Sequence, residues 1–395
     1  MNPHVTLTGF RYAPAIGGAE NYARRLVAEM GKRVDVEVLT LCTDQRTDWL
    51  RVLIDGVRDA PHEYEVDGRK VTALPRWPAA TRRALWTLAP GYHVPASPAP
   101  WTMGRRLAPH LEPWVPGGSL LHNVFMGREA FSAGLLIAAR KRGVPFVFTP
   151  LRHQRPLGWS SPAFRRLYRE SDAVVALTYG EAAWLAERGA ARERLHVIGL
   201  GPQNDAHASP DLARREVGDR PIVLFVGQLH EYKGFAALLA AARRMQGPHD
   251  PLFVFVGPDV RGNGSVFARA GANVRWLGTV SRELRDSLFA ACTVLCVPSS
   301  RESFGAVVVE AWNCGKPVIG GPAAATRELI DDGVDGFVVP QDAATIAARL
   351  EKLLSDPALA TEMGCRGREK VEKEFTWSSI AQRHLDLYES LAPSR

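Results

Sequence analysis

Glu302 and Glu310 enclose the densest run of chemically useful residues in the chain, Ser303-Phe304-Gly305-Ala306 followed by three valines. Pro298-Ser299-Ser300 precedes them and Cys314-Gly315-Lys316-Pro317-Val318-Ile319 follows. The apolar residues 294–298 read as a strand, and the run after Glu302 reads as a helix that Gly315 can end. Glu302 then lies in a strand-to-helix loop at the carboxyl end of a strand, where open α/β sheets bind ligands. The N–H groups of Phe304, Gly305 and Ala306 become the unpaired donors of a helix N-terminus. With the helix dipole they make a site for phosphate. Glu310 falls about two turns further on, where its carboxylate can accept hydrogen bonds from a ribose diol. The competing reading is an acidic surface pair that flanks a helix.

Other residues extend this chemistry. Gly17 and Gly18 lack a Cβ and let backbone N–H groups approach a pyrophosphate. Lys233 stands before Gly234 at a helix start, the wrong end of the dipole for a cation unless an anion is near. There it can serve as a point charge on a diphosphate. Gln228 follows the strand end Leu224-Phe225-Val226-Gly227 and offers an amide without charge. His153 sits in the polar loop Arg152-His153-Gln154-Arg155, after the strand end Phe148-Thr149-Pro150. His122 and Asn123 lie at the end of another strand and are read as facing a cleft. Glu20 needs no role beyond dipole stabilisation in a first turn, and Glu328 reads as a helix-start carboxylate. No Asp-x-Asp and no His/Cys cluster has metal-ligand spacing, so no metal site is expected.

These residues need a scaffold. The length of 395 residues exceeds what one core holds and predicts two domains. Short apolar runs recur at 36–41, 71–74, 120–124, 145–149, 173–178 and 196–199. A second set lies at 222–227, 253–257, 274–278, 294–298, 317–320 and 337–340. Amphipathic stretches separate them, among them 19–32, 180–188, 234–245, 282–291 and 343–354. That alternation predicts parallel sheets in two doubly wound domains facing across a cleft. The break falls near Gly199-Leu200-Gly201-Pro202. Residues 376–391 read as a final amphipathic helix. Residues 75–118 have weak periodicity, and Pro90, Pro95, Pro98 and Pro100 argue against a clean helix there.

Composition excludes several classes. At 46% hydrophobic and 23% charged the chain is an ordinary soluble protein. No apolar run approaches the roughly 20 residues of a membrane span. Residues 1–10 lack the marks of a signal peptide. The five scattered cysteines (Cys42, Cys292, Cys296, Cys314, Cys365) read as reduced thiols in a cytoplasmic protein. The net charge of +7 comes as dispersed arginine pairs and carries no nucleic-acid-binding signature, so no nucleic-acid partner is expected.

The Glu302–Glu310 string resembles that of the family-4 retaining glycosyltransferases of GT-B fold. The resemblance extends to Pro14-Ala15-Ile16-Gly17-Gly18-Ala19-Glu20, to Ser171-Asp172-Ala173-Val174-Val175-Ala176-Leu177-Thr178, and to Leu224-Phe225-Val226-Gly227 with Lys233-Gly234. It implies an N-terminal acceptor domain over 1–200 and a donor domain over 201–375. A terminal helix over 376–395 would cross back to the first domain. The activity implied is transfer of a hexose from a nucleoside-diphosphate sugar to an acceptor hydroxyl, with retention. Neither cofactor nor metal is implied. Glu302 and His153 are the catalytic candidates. Gly17, Gly18, Lys233, Gln228, Ser303, Phe304, Gly305, Ala306 and Glu310 are the donor-binding candidates. The family usually has an arginine where Gln228 stands, and His230 or Arg327 could replace it.

Uridine donors are the commoner case in that family. The rivals are a GDP-mannose-dependent mannosyltransferase acting on a lipid-linked acceptor, a nucleotide-sugar epimerase, and a donor-binding protein without activity. For the acceptor, residues 75–118 have no clear family counterpart and supply Trp77, Trp86, Trp101 and Trp114. Trp86 and Trp101 are the candidates for stacking on a saccharide or small molecule, with His122 and Asn123 beside them. The arginines Arg82, Arg83, Arg105 and Arg106 leave a weak peripheral membrane contact open. Oligomeric state is not legible.

Overall fold

The computed structural model describes residues 4–152, 158–245 and 251–391. The chain divides into two compact units, Met1–Gly199 with Trp377–Arg395, and Leu200–Thr376.

The first unit is built on an eight-stranded sheet. Its strands are β1 (His4–Arg11), β2 (Val36–Cys42), β3 (His62–Val66), β4 (Arg69–Ala73), β5 (Ser119–Val124), β6 (Phe146–Thr149), β7 (Ala173–Ala176) and β8 (Leu195–Val197). The spatial order is β3-β4-β2-β1-β5-β6-β7-β8. Only β3 runs antiparallel, joined to β4 by a hairpin whose turn residues Asp67 and Gly68 both have positive φ, the conformation a tight hairpin demands. The sequence pattern did not bring out β1 or β3. In β1, Thr6 and Thr8 interrupt an apolar run yet are buried like their neighbours. The edge strand β3 carries His62, Glu63 and Glu65, the charged dress that keeps an exposed edge from pairing further.

The second unit has six strands, all parallel: β9 (Ile222–Val226), β10 (Leu252–Val256), β11 (Val274–Trp276), β12 (Val294–Val297), β13 (Val318–Gly320) and β14 (Gly336–Val338). Their order is β11-β10-β9-β12-β13-β14. Every residue of β9, β10 and β12 is buried, so both faces of the sheet are covered. That is why these runs do not alternate.

Residues 75–118 are mostly helical, which corrects the expectation of an irregular stretch. Helices Ala79–Leu88 and Ala99–Leu111 are linked by a 3-10 turn, Ala89–His93. The prolines do not break them. Pro90 lies in the turn, and Pro100 occupies the first turn of the second helix, where a missing N–H costs nothing. Met103, Leu107 and Leu111 form the buried stripe of that helix. It crosses helix Glu129–Lys141 at Gly104, where an added Cβ would lie 2.6 Å from the Cβ of Ala133.

Helix Trp377–Leu391 belongs to the first unit and packs on helix Gly18–Met30. Apolar burial of Ile380, Leu385 and Leu387 is joined by a closed polar network. The Tyr22 hydroxyl pairs with His384 Nε2 at 3.1 Å, while His384 Nδ1 donates to the Ile380 carbonyl at 2.8 Å. Nδ1 of His384 therefore carries a proton. His122 of β5 bonds the Tyr388 hydroxyl at 2.6 Å and the Thr149 hydroxyl at 2.7 Å. Burial pushes both imidazoles down, His384 to about 4 and His122 well below the usual range, with the neighbouring His384 adding to the latter. A histidine with a depressed pKa contributes stability that is present above about pH 6.5 and lost as pH falls toward its folded pKa. For His384 the loss at pH 5 is about 2 kcal/mol, and His122 acts in the same direction. We expect the urea midpoint to fall between pH 7 and pH 5, and His122→Gln/His384→Gln to flatten that dependence; an unchanged slope in the double variant would assign it elsewhere.

Candidate active site

In the second unit the carboxyl ends of β9 and β12 are pulled together by loop contacts. The Tyr232 carbonyl accepts from Ser300 N–H at 2.7 Å, from the Ser299 hydroxyl at 3.2 Å and from Gln341 Nε2 at 2.9 Å. Gln341 also donates to the Pro298 carbonyl at 2.8 Å. Gly234 has φ +77, and a Cβ there would sit 2.4 Å from the Pro298 carbonyl oxygen. Glycine is needed twice over, for the conformation and for the close approach. This juncture delivers Lys233 to Glu302, Nζ to Oε1 at 2.7 Å, with side chains 19% and 13% exposed. The sequence had given the two residues separate tasks; the structure makes them an ion pair.

The helix after Glu302 begins later than expected. Gly305 caps it with φ 101, and it runs Ala306–Asn313. The Val308 N–H is given to the Gly305 carbonyl at 2.9 Å. The first-turn donors are therefore those of Ala306 and Val307. Phe304 lies ahead of the helix with its ring buried against Phe375, centroids 5.7 Å apart, so its side chain is a packing group. Ser303 is half-buried beside it. Cys314 and Gly315 end the helix, Gly315 with φ 65 and its N–H on the Trp312 carbonyl at 2.8 Å. Gln228 is exposed just past the end of β9. Glu328 is in the last turn of helix Ala324–Leu329, not at its start.

Glu310 is 1% exposed and ion-paired to Arg285 of helix Arg282–Ala291. Burial works against the Arg285 charge, but the Glu310 carboxylate, with Asp286 and Cys314 adding to it, raises the guanidinium's pKa overall. Asn204 Nδ2 donates to the Glu310 carbonyl at 2.9 Å and so holds the helix backbone at the same point. Sequence reasoning missed Arg285, because the pairing joins two helices and no spacing announces it.

In the first unit Gly17 is extended, and a Cβ there would lie 2.3 Å from the Glu20 carboxylate. Glu20, 2% exposed, is ion-paired to Arg11 at the end of β1. Its role is thus more than dipole stabilisation: it folds back over Gly17 and fixes the loop. Gly18 faces open space. The acceptor roles of His122 and Asn123 do not fit their surroundings. His122 is fully buried with both ring nitrogens engaged under the final helix. Asn123, 1% exposed, donates to Thr8 Oγ1 at 3.0 Å inside the sheet. Trp77 is a core residue. Trp101 has one face under the Arg166 guanidinium at 4.1 Å and packs at the core margin. Trp86 is 46% exposed, its indole N–H on Asp55 at 3.0 Å. His153 lies outside the described residues.

Residues 17–201 match the family described as glycosyl transferase 4-like domain, and residues 213–370 match glycosyl transferases group 1. The alpha-maltose-1-phosphate synthase of Mycolicibacterium smegmatis is 32% identical over 309 residues, covering 69% of this chain and 78% of that protein. The chain belongs to the family-4 glycosyltransferases. This glycosyltransferase is a hexosyltransferase of GT-B fold. The D-inositol 3-phosphate glycosyltransferase of the same organism is 27% identical over 400 residues, covering 94% of this chain and 86% of that protein. In fold the chain is similar to Anabaena HepE in complex with UDP, with a TM-score of 0.72, 19% identity and coverage of 98% and 100%. Among the described residues no helix is long and apolar enough to cross a membrane, and no group of three or more His, Cys, Asp or Glu could hold a metal ion.

The Lys233–Glu302 contact has a measurable signature. Lys233→Ala leaves a largely buried carboxylate without its cation and should cost about 1–3 kcal/mol of stability. Lys233→Ala/Glu302→Gln should recover most of that loss in urea denaturation. Strictly additive losses would mean that the two side chains do not act as a pair.

Proposed function

We propose that this glycosyltransferase moves a hexose from a UDP-sugar to a hydroxyl of a saccharide or small-molecule acceptor, with retention of anomeric configuration. The observation that carries this is the Lys233–Glu302 pair at the carboxyl edge of the second sheet. A diphosphate brought to Lys233 competes with Glu302 for the ammonium. The cation then stabilises the charge that develops on the leaving diphosphate, helped by the N–H groups of Ala306 and Val307. Glu302, released, accepts hydrogen bonds from the transferred sugar and supports positive charge at its anomeric carbon. Glu310 holds the ribose. Gly17 and Gly18, in the loop fixed by Glu20 and Arg11, serve the diphosphate or the acceptor.

Uridine is favoured by the fold likeness to a protein solved with UDP. The names of two relatives specify phosphorylated sugars or cyclitols, which favours a small polar acceptor over a lipid. The exposed Trp86 is the ring left for stacking on such a molecule. The reading includes no bound metal and no cofactor. It places the enzyme in the cytoplasm, a compartment its free thiols suit.

Acceptor-dependent release of UDP tests the reaction. Glu302→Gln should cut turnover by about 100-fold or more while UDP still binds. Wild-type turnover in a folded Glu302→Gln protein would remove Glu302 from the chemistry. A thermal-shift comparison of UDP, GDP, ADP and TDP tests the base, because ligand at about 100 times its Kd adds roughly 2.7 kcal/mol. Turnover should survive excess EDTA; loss restored by magnesium would overturn the metal-free reading.

A further inference from the structure

The Arg285–Glu310 pair is an expensive feature for its place. The Glu310 side chain is 2% exposed and that of Arg285 25%, so both charges are largely withdrawn from water. An apolar pair of similar volume would join the two helices at least as well. The pair is also over-determined. Arg285 lies over the Phe289 ring at 5.0 Å, one turn along its own helix. Its second flank meets Asp286 Oδ1 at 3.5 Å. Asp286 in turn accepts the Asp205 N–H at 3.2 Å, and Asn204 next to it bonds the Glu310 carbonyl. Both partners are thus held from several sides, and Arg285 engages one carboxylate oxygen of Glu310, Oε2.

We propose that Arg285 is a positioning residue for the donor site: by binding Glu310 Oε2 it fixes the carboxylate so that its other oxygen meets the ribose hydroxyls. This rests on the reading of Glu310 as the ribose ligand. A carboxylate fixed before the nucleotide arrives loses little side-chain freedom on binding. A free glutamate, four bonds long, would lose more. The device acts only on the diol, so its signature is selective for nucleotides that carry one.

The test is calorimetric binding of UDP and GDP, each beside its 2′,3′-dideoxy form, to the full chain. Arg285→Met should weaken the ribonucleotide by about 10-fold and the dideoxy nucleotide by less than about 2-fold. Arg285→Lys should restore part of the difference, since it returns the charge without the rigid fork. Equal loss for both forms, or loss for neither, would overturn the proposal. Because Arg285→Met strands a buried carboxylate, Arg285→Met/Glu310→Gln is measured as well. It should bind UDP no more weakly than Glu310→Gln alone, and a further loss would mean that Arg285 acts by another route. Glu310→Gln separates the two layers. If Glu310→Gln weakens the ribonucleotide and the dideoxy nucleotide equally, or neither, the ribose reading itself falls. If its loss is selective for the ribonucleotide and that of Arg285→Met is not, only the positioning role falls.

Discussion

The approach of Gly234 to the Pro298 carbonyl is the contact on which the second unit's site depends. No other residue type tolerates both the left-handed backbone and an oxygen where its Cβ would be. Because that contact closes, the loops after β9 and β12 share one carbonyl, that of Tyr232, as their common acceptor. Lys233 and Glu302, 69 residues apart in sequence, become neighbours as a result. The chemistry proposed for the site is therefore a property of a backbone juncture first and of two side chains second.

Much of the scaffold was legible because buried parallel strands leave a strong mark. All six strands of the second sheet lie in apolar runs bounded by glycine or proline, and the final helix shows its buried face at helical spacing. What escaped did so for definite reasons. β1 mixes threonine into its run, and β3 is a polar edge. Residues 75–118 read as irregular from their prolines, whose cost to a helix depends on position. A proline in a first turn costs a helix nothing, so Pro100 begins a helix where it was read as an interruption.

The candidate site was legible as residue types and illegible as partnerships. Glu302, Lys233 and Glu310 stand out from motif and spacing alone. Their ion pairs do not, since Arg285 and Glu310 sit on different helices and Glu20 finds Arg11 across a loop. His122 and Asn123 show the converse error. A polar residue at a strand end reads as ligand-facing, but a crossing helix or a neighbouring strand can roof it over, and Tyr388 and Thr8 do so here. Burial by distant segments is the information that local pattern lacks.

The return of residues 377–391 to the first unit has a bearing on how the protein is made. Leu200–Thr376 is, in effect, an insertion within the first unit. The ordinary order of synthesis, in which the earlier domain is complete before the later one emerges, is inverted. The second unit has all of its strands once residue 376 has left the ribosome. The first, although begun earlier, still shows the apolar flank of helix Gly18–Met30 and an uncovered His122. Its hydrophobic and polar surfaces stay open to misassociation through the whole synthesis of the second unit, and the segment that seals them is translated only after that unit.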